Sequence, residues 1–228
     1  MRIGGLLKFS LIDYPGKVAA VVFTQGCNYR CPFCHNPELV LPELFTEPLL
    51  EEDVLAFLEK RKGQLQGVVV TGGEPSIHND LPEFLRKIKS MGYLLKLDTN
   101  GSRPDVLQKI LDAQLLDFVA MDIKSSLDGY CKATGVVTDL PAIKMSIKII
   151  KDSGVQYEFR TTALKAIVSE TDMAAIKDLI GPGQNYLVKR GNIKDKILDY
   201  SFFADHPDYT DEEWQRIKGL YNSDKVGT

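Results

Sequence analysis

The chain has 228 residues, 44% of them hydrophobic and 26% charged, with a formal net charge of −3. These values are typical of one soluble globular domain, and the negative charge offers no basic face that would make nucleic acid the leading partner. The first five residues carry no signal-peptide pattern and no apolar run approaches the ~18 residues of a membrane span, so we expect a cytoplasmic protein that has no membrane partner.

Short apolar strands and amphipathic helices alternate along the chain. The first predicted strand, 18–23, is almost wholly apolar, as is typical of a parallel strand covered on both faces. Five further strands are predicted at 68–70, 93–97, 118–121, 155–164 and 186–188. The helices between and after them are predicted at 50–61, after an Asp80 cap, from Ser102, at 141–151, after a Ser169 cap, and from Thr210 with Trp214 and Ile217 buried.

This alternation predicts a parallel sheet with right-handed crossovers. Six units favour an α/β fold of the partial (βα)6 TIM-like barrel class, although the repeat count alone leaves a doubly wound open sheet possible. Each predicted strand is followed by a polar or glycine-rich segment. Because barrel enzymes build their sites at the carboxyl ends of the strands, these six segments are expected to meet in one pocket.

A cysteine-rich loop follows the first predicted strand. Cys27, Cys31 and Cys34 lie within it, and the fourth cysteine of the chain, Cys131, is far away. A cubane iron-sulfur cluster normally takes four cysteine ligands, so three would leave one iron open to a small molecule. The loop is therefore interpreted as a catalytic 4Fe–4S site, with Cys131 as an unpaired structural thiol.

The cysteine loop has three other interpretations. Zinc with His35 as fourth ligand is disfavoured, because Cys34 and His35 are adjacent and no second ligand pair follows at finger-like spacing. A redox dithiol would use the two-residue gap between Cys31 and Cys34. Buried inert thiols are disfavoured by the clustering.

Polar residues after the second and third predicted strands are candidate ligand contacts. Gly72 and Gly73 would let a ligand approach the backbone, and Glu74 can accept hydrogen bonds from an ammonium group. Asp98 and Asn100 suit ribose hydroxyls. Plain turns are the alternative interpretation for both segments.

The later strands add charged candidates. Arg160 lies in an otherwise strand-like run and needs an anion, which is either a ligand carboxylate or a side chain such as Asp122. Asp122 and Lys124 point the same way if the strand continues, as an ion pair or as ligand contacts. Phe33 is placed against an adenine ring or in the core, and His35 as a proton carrier, ligand contact or loop brace.

A ligand that suits these groups has an amine, a carboxylate, a ribose and an adenine, and it needs an open iron. S-adenosylmethionine meets that description. The Cys-x3-Cys-x2-Cys loop and Gly-Gly-Glu-Pro at 72–75 resemble the radical S-adenosylmethionine (radical SAM) enzymes. Gln25-Gly26-Cys27, the segment 34–37, Asp-Thr-Asn-Gly at 98–101 and Asp-Ile-Lys at 122–124 resemble the activating enzymes of glycyl radical enzymes. Asp-Tyr-Pro-Gly at 13–16 is most similar to activators of anaerobic ribonucleoside-triphosphate reductase.

The resemblance implies one radical SAM domain over 1–228, with its core at about 16–192 and a C-terminal helical extension over 193–228. It implies a 4Fe–4S cluster on Cys27, Cys31 and Cys34, no second cluster, and S-adenosylmethionine as the second cofactor. Gly73, Glu74 and Arg160 match positions that hold its methionine part.

The implied activity is an oxidoreductase reaction. The cluster, reduced by a flavodoxin- or ferredoxin-like donor, cleaves S-adenosylmethionine to a 5′-deoxyadenosyl radical, which removes hydrogen from a glycine of a glycyl radical enzyme. Lys189 and Arg190 stand where pyruvate formate-lyase activators have a histidine-containing tail, so this segment departs from theirs. A radical enzyme acting on a small molecule, a thiol-disulfide oxidoreductase and a zinc-stabilised interaction module are the alternative functions.

Overall fold

A computed structural model describes residues 1–193 and 196–221. Seven strands form the sheet: β1 (Ile3–Ser10), β2 (Ala19–Thr24), β3 (Gly67–Gly72), β4 (Leu94–Thr99), β5 (Phe118–Asp122), β6 (Gln156–Ala163) and β7 (Tyr186–Arg190). The α-helices are α1 (Pro37–Val40), α2 (Glu51–Lys60), α3 (Leu81–Ser90), α4 (Pro104–Asp112), α5 (Tyr130–Thr134), α6 (Leu140–Asp152), α7 (Glu170–Ile180) and α8 (Asp211–Tyr221).

The seven strands pair in chain order, from β1 at one edge to β7 at the other. Strands β2 to β7 are parallel, as predicted, and their register brings Asp122 beside Arg160. Strand β1, which pairs antiparallel with β2, was not predicted from the sequence. Two consecutive glycines, Gly4 and Gly5, weaken the strand pattern of β1. Its pairing with β2 stabilises the strand although its local strand propensity is low.

The two faces of the sheet bury different groups. Helices pack on one face, where Val22, Val68 and Val70 join the main apolar core. The other face holds a small apolar cluster that includes Val21, Val69 and Ala120, with Tyr14 packed edge-on to Phe118 at a centroid distance of 6.1 Å. Side chains alternate between the two faces along each strand. On this second face, the residues that follow the apolar cluster toward the carboxyl ends of the strands are polar.

The helix boundaries follow the predicted caps in part. The Ser169 cap is confirmed, since its side chain accepts from the backbone of Asp172 and the Asp172 carboxylate accepts in return. Asp80 makes no side-chain cap on α3. Pro82 has no N–H to donate, and the N–H of Glu83 bonds the Asp80 carbonyl instead. In α8, Ile217 is buried as predicted, whereas Trp214 is only half-buried.

Among the described residues, no helix has both the length and the apolar character needed to cross a lipid bilayer.

Candidate cofactor site

A cavity of about 220 Å³ opens at the carboxyl ends of the parallel strands. Every candidate site residue from the sequence lines it except Arg160: Cys27, Cys31, Phe33, Cys34, His35, Gly72, Gly73, Glu74, Asp98, Asn100, Asp122 and Lys124. Arg160 contacts two of these residues directly. The structure therefore brings the separate strand-end segments to one place.

The cysteine loop leaves β2 and is fixed by backbone contacts. The Arg30 guanidinium donates to the carbonyl oxygens of Cys27 and Tyr29, both at 2.8 Å, and the Arg30 N–H donates to the carbonyl of Thr134 at 2.7 Å. Gly135, in the left-handed region with φ 69°, lies against this segment, where a Cβ would stand 2.4 Å from the Arg30 carbonyl oxygen. The loop is therefore held by packing as well as by hydrogen bonds.

All three loop cysteines carry free thiols. Burial raises the pKa of Cys27 to about 12 and that of Cys31 to about 11, and burial also raises the pKa of Cys34. The Lys124 ammonium opposes this effect at all three cysteines but does not outweigh burial. A metal ion binds the thiolate form and displaces the thiol proton. Buried thiols such as these therefore become charged when a metal binds and neutralises the charge.

The donor set is three free thiols of one loop, the ligand type of an iron–sulfur cluster. In the described part of the chain, no three Cys, His, Asp or Glu side chains are grouped to hold a single metal ion. In a cubane each thiolate binds a different iron, so three cysteines of one loop need not meet at a point. Tyr29 also lines this cavity, and its hydroxyl is buried without a hydrogen-bond partner among the described residues.

Gly72 and Gly73 are required by the protein itself. A Cβ on Gly72, whose φ is 116°, would lie 2.3 Å from the backbone nitrogen of Thr24. A Cβ on Gly73 would lie 2.0 Å from the carbonyl oxygen of Gly26. The predicted reason for these glycines, close approach of a ligand, is therefore not needed to explain them, because the end of β3 packs against the backbone at the end of β2 and at the start of the cysteine loop.

Glu74 is 1% exposed, and both oxygens of its carboxylate accept hydrogen bonds. Oε1 accepts from the Ser76 backbone N–H at 3.0 Å, from the Ser76 hydroxyl and from the Thr99 hydroxyl at 2.8 Å. Among the described residues, Oε2 accepts from the Asn100 N–H alone, at 2.6 Å. Burial raises the pKa of Glu74 above its ordinary value. Since a carboxylate oxygen has two lone pairs, Oε2 keeps one position for a further donor.

Both polar atoms of the Asn100 side chain are hydrogen-bonded within the protein. Its amide N–H donates to the Asn28 side chain at 2.9 Å, and its amide oxygen accepts from the Ser102 N–H at 2.9 Å. These bonds tie the segment after β4 to the cysteine loop. The turn that was the alternative interpretation of this segment is present, and Gly101 has a φ of 74° within it.

Five side chains form a chain of alternating charge across β4, β5 and β6. In spatial order they are Lys96, Asp98, Arg160, Asp122 and Lys124. Arg160 donates through Nε to Asp122 at 2.9 Å and through Nη1 to Asp98 at 3.2 Å. Lys124 Nζ lies 3.1 Å from the Asp122 carboxylate. The anion that Arg160 needs is thus supplied by the protein.

Two residues of the loop have partners within the chain. Phe33 is buried, with the Lys124 ammonium 6.0 Å from its ring centre, so it joins the cysteine loop to the charged side of the cavity. His35 is exposed, and its Nε2 lies 2.9 Å from the carbonyl oxygen of Asn192. That contact is the one expected of a loop brace.

Sequence reasoning missed Lys96 and Tyr29. Lys96 is 2% exposed within an apolar strand, and the argument applied to Arg160, that a buried cation needs an anion, would have found it. No pattern distinguishes Tyr29 from an ordinary loop aromatic. Further cavity-lining residues not predicted are Asn36, Val40, Thr71, Thr99 and Thr162.

Comparisons with known proteins point to one superfamily. The sequence model of the Radical SAM superfamily matches residues 21–179. A Methanocaldococcus jannaschii protein, provisionally named as a glycyl-radical enzyme activating enzyme, is 31% identical over 202 residues, which are 85% of this chain and 81% of that protein. The pyruvate formate-lyase-activating enzyme of Clostridium pasteurianum is 35% identical over 140 residues, 59% of this chain and 57% of that enzyme.

Solved structures share the fold. SuiB of Streptococcus suis superposes with a TM-score of 0.62 at 14% identity, covering 90% of this chain and 46% of SuiB. The protein anSMEcpe, solved with bound AdoMet, gives 0.58 at 14% identity, covering 74% of this chain and 50% of that one. The chain spans about half the length of both. With the open, mostly parallel sheet, these matches confirm the predicted partial TIM-like barrel.

Proposed function

The chain belongs to the radical SAM superfamily, and from this we propose that it activates a glycyl radical enzyme by removing hydrogen from a glycine of that partner. Members of the superfamily use a 4Fe–4S cluster and S-adenosylmethionine. Homology to activating enzymes over most of the chain supports the choice of reaction. The identities of the partner and of the electron donor are proposed separately below.

One observation carries the proposal. The three free thiols of the loop face the same cavity as Glu74, Asp98 and Lys124, which come from three other strand ends. A thiol-disulfide oxidoreductase needs only two of the thiols, and a zinc module needs no carboxylate or ammonium groups beside them. The combination suits a cluster with an amino-acid-like ligand next to it.

The residues have distinct roles in this proposal. Cys27, Cys31 and Cys34 hold the cluster, and the free position on Glu74 Oε2 receives the ammonium group of S-adenosylmethionine. When reduced, the cluster supplies the one electron that splits S-adenosylmethionine into methionine and a 5′-deoxyadenosyl radical. Lys124, at the outer end of the charge chain, offers its ammonium group to the methionine carboxylate.

Arg160 has a different role from the one that the resemblance implied. Its guanidinium is divided between Asp98 and Asp122, so we assign it to holding those carboxylates in position rather than to gripping the cofactor. Asp98, oriented in this way, keeps its proposed role toward a ribose hydroxyl. Phe33, beside Lys124, keeps its proposed place near the adenine.

We propose anaerobic ribonucleoside-triphosphate reductase as the partner. Support comes from the Asp-Tyr-Pro-Gly turn at 13–16, which is similar to that of its activators. Tyr14 is 4% exposed and packs on Phe118, so the turn also has a structural role in closing the apolar face of the sheet. A flavodoxin- or ferredoxin-like protein is proposed as the electron donor.

The test is transfer of the radical. Anaerobically reconstituted protein, S-adenosylmethionine and a reductant are mixed with anaerobic ribonucleotide reductase and, separately, with pyruvate formate-lyase. We expect a glycyl radical signal by electron paramagnetic resonance (EPR) in the reductase only, with equal amounts of methionine and 5′-deoxyadenosine.

The other outcomes separate the alternatives. A signal in pyruvate formate-lyase alone would keep the reaction and replace the partner. Cofactor cleavage with no radical in either protein would favour the alternative of a small-molecule substrate.

A further inference from the structure

Cys27 and Glu74 are joined on two sides by hydrogen bonds. On one side, the Glu74 backbone N–H donates at 2.8 Å to the carbonyl oxygen of Gly26, the residue before Cys27. On the other side, the Asn100 backbone N–H donates to Glu74 Oε2 at 2.6 Å. The Asn100 side-chain amide in turn donates at 2.9 Å to the amide oxygen of Asn28, the residue after Cys27. The peptide chain from Gly26 to Asn28 closes these contacts into a ring.

The direction of the bonds around Asn28 follows from one backbone donor. The Ser102 N–H can only donate, so the Asn100 atom that it meets at 2.9 Å is the amide oxygen. The Asn100 amide nitrogen therefore faces Asn28 and meets an oxygen there. The Asn28 amide nitrogen is left for the Ser102 hydroxyl, at 2.9 Å. Both polar atoms of the Asn28 side chain are thus used, although the residue is exposed.

The turn after β4 has other supports, which hold its shape but not its place beside the cysteine loop. The Gly101 N–H donates to the Thr99 hydroxyl at 3.1 Å, and the Ser146 hydroxyl donates to the Gly101 carbonyl oxygen at 2.6 Å. Neither contact reaches the cysteine loop. In the described part of the chain, the hydrogen bonds from residues 27–35 to this turn all come from Asn28. Asn28 therefore provides the tie on this side of Cys27.

The ring joins two groups that act on the same cofactor. In the proposed function Cys27 holds the cluster, and the open position on Glu74 Oε2 receives the ammonium group of S-adenosylmethionine. One small amino-acid group can meet the cluster and the carboxylate together only when their separation is correct. A displacement of about 1 Å is enough to cost affinity or rate in such a site.

We propose that Asn28 is a positioning residue, which closes the ring through Asn100 and so fixes the distance between a cluster on Cys27 and the ammonium site on Glu74. Asn28 does not line the cavity, so its effect passes through these neighbours. The inference rests on the proposed function, because its consequence is the affinity for S-adenosylmethionine beside a cluster.

Two variants of Asn28 test this role. Asn28→Ala removes both contacts. Asn28→Asp restores them, because one carboxylate oxygen accepts from the Asn100 amide and the other accepts from the Ser102 hydroxyl, which turns to donate. Each variant is reconstituted and its iron is measured. S-adenosylmethionine is then added while the shape of the reduced cluster's EPR signal is followed.

We expect both variants to keep the iron content of the wild type. Asn28→Ala should need about fivefold more S-adenosylmethionine to reach half of the spectral change, and Asn28→Asp should stay within about twofold of the wild type. The inference is wrong if Asn28→Ala binds like the wild type or if Asn28→Asp is as weak as Asn28→Ala. Loss of iron in Asn28→Ala would also overturn it, since Asn28 would then retain the loop rather than position it.

Asn185→Ala is the matched control. Asn185 is also exposed, and its amide donates at 2.9 Å to the carbonyl oxygen of Tyr157, which does not line the cavity. This variant should bind S-adenosylmethionine like the wild type. An equal loss of affinity in Asn185→Ala and Asn28→Ala would show a general effect of losing an exposed amide and would overturn the inference.

Hydrogen exchange tests the ring without a cofactor. In the full chain before reconstitution, the Asn100 N–H should exchange faster in Asn28→Ala than in the wild type, and Asn185→Ala should leave its rate unchanged. An unchanged rate in Asn28→Ala would contradict the inference.

The titration separates the inference from the proposed function. If the wild-type cluster does not respond to S-adenosylmethionine, the proposed function fails and the inference falls with it. If the wild type responds and Asn28→Ala matches it, only the inference fails.

Discussion

The cofactor cavity has two walls that differ in how far the protein satisfies them. The cysteine wall consists of Cys27, Tyr29, Cys31 and Cys34. The charged wall consists of Lys96, Asp98, Asp122, Lys124 and Arg160. On the charged wall each group has a partner of opposite charge. On the cysteine wall the thiols are free and a buried hydroxyl has no acceptor.

Because of this difference, we expect the charged wall to contribute to the stability of the fold and the cysteine wall to contribute to cofactor binding. The charged wall joins β4, β5 and β6 through side chains, so it can form before any cofactor is present. The free thiols of the cysteine wall gain partners only when a metal centre binds in the cavity. Changes to the charged wall should therefore alter the free energy of unfolding, and changes to the cysteine wall should alter what the protein binds.

The largest expected effect comes from the cysteine wall. Cys31→Ser should abolish cluster assembly and cofactor cleavage together, because a cluster with only two thiolate ligands from the loop is not retained. Iron and sulfide analysis after reconstitution measures this. Cys131→Ser, at an exposed free cysteine on α5, is the control and should keep full iron content. Equal iron in both variants would contradict the assignment.

The next effect comes from the charged wall. Arg160→Met leaves Asp98 and Asp122 with one cation each in a largely buried site, and we expect a loss of about 3 kcal/mol in the free energy of unfolding. Urea denaturation of cluster-free protein measures it. Lys148→Met removes an exposed ion pair with Asp152 and should cause no measurable loss. Similar values for the two variants would show that the charged wall does not stabilise the fold.

A smaller effect is expected where the walls meet. Glu74→Gln keeps the shape of the side chain but removes its charge, so S-adenosylmethionine should bind about tenfold more weakly while iron content stays unchanged. Calorimetric titration of the reconstituted protein gives the affinity, and Glu83→Gln, on the exposed surface of α3, is the control. Loss of iron in Glu74→Gln would place Glu74 with the cluster instead.

The smallest expected effect is on the pH dependence of the free energy of unfolding, to which Asp122 and Glu74 contribute with opposite signs. Burial opposes ionisation of Asp122, but Arg160 and Lys124 outweigh it and hold its pKa below the ordinary value. The stability that Asp122 contributes is therefore complete above about pH 4 and is lost as the pH falls further. Burial raises the pKa of Glu74, so its contribution is greatest below about pH 4 and is lost as the pH rises through its folded value.

This sign difference can be measured in cluster-free protein. Asp122→Asn should flatten the decline in unfolding free energy below about pH 4, by less than the 1.4 kcal/mol per pH unit that one proton allows. Glu74→Gln should leave that decline intact and remove part of the slope at higher pH. The reverse assignment of slopes would show that the two environments have been exchanged.

The position of the cavity could be predicted because the ends of the strands are recognisable in the sequence. The parallel strands have short apolar cores, and the polar segment after each one marks the carboxyl edge where the cavity lies. Strand β1 was not predicted, because its glycines and exposed residues give no clear period and its pairing with β2 is a long-range property.

The partners of individual residues were harder to predict. Arg160 was correctly expected to need an anion, but only the register of β5 and β6 shows that Asp122 is beside it. Gly72 and Gly73 were explained by a ligand, whereas the tertiary packing of β3 on the cysteine loop requires them. The unpaired Tyr29 hydroxyl depends on which acceptors are absent around it, and no sequence pattern carries that information.

The most direct test of the account is EPR spectroscopy of anaerobically reconstituted, dithionite-reduced protein with and without S-adenosylmethionine. We predict a reduced 4Fe–4S signal whose shape changes when S-adenosylmethionine is added, because three thiolates leave one iron accessible. A cluster signal that does not respond would limit the site to electron transfer. Bound zinc with no iron signal would contradict the assignment of the cysteine wall.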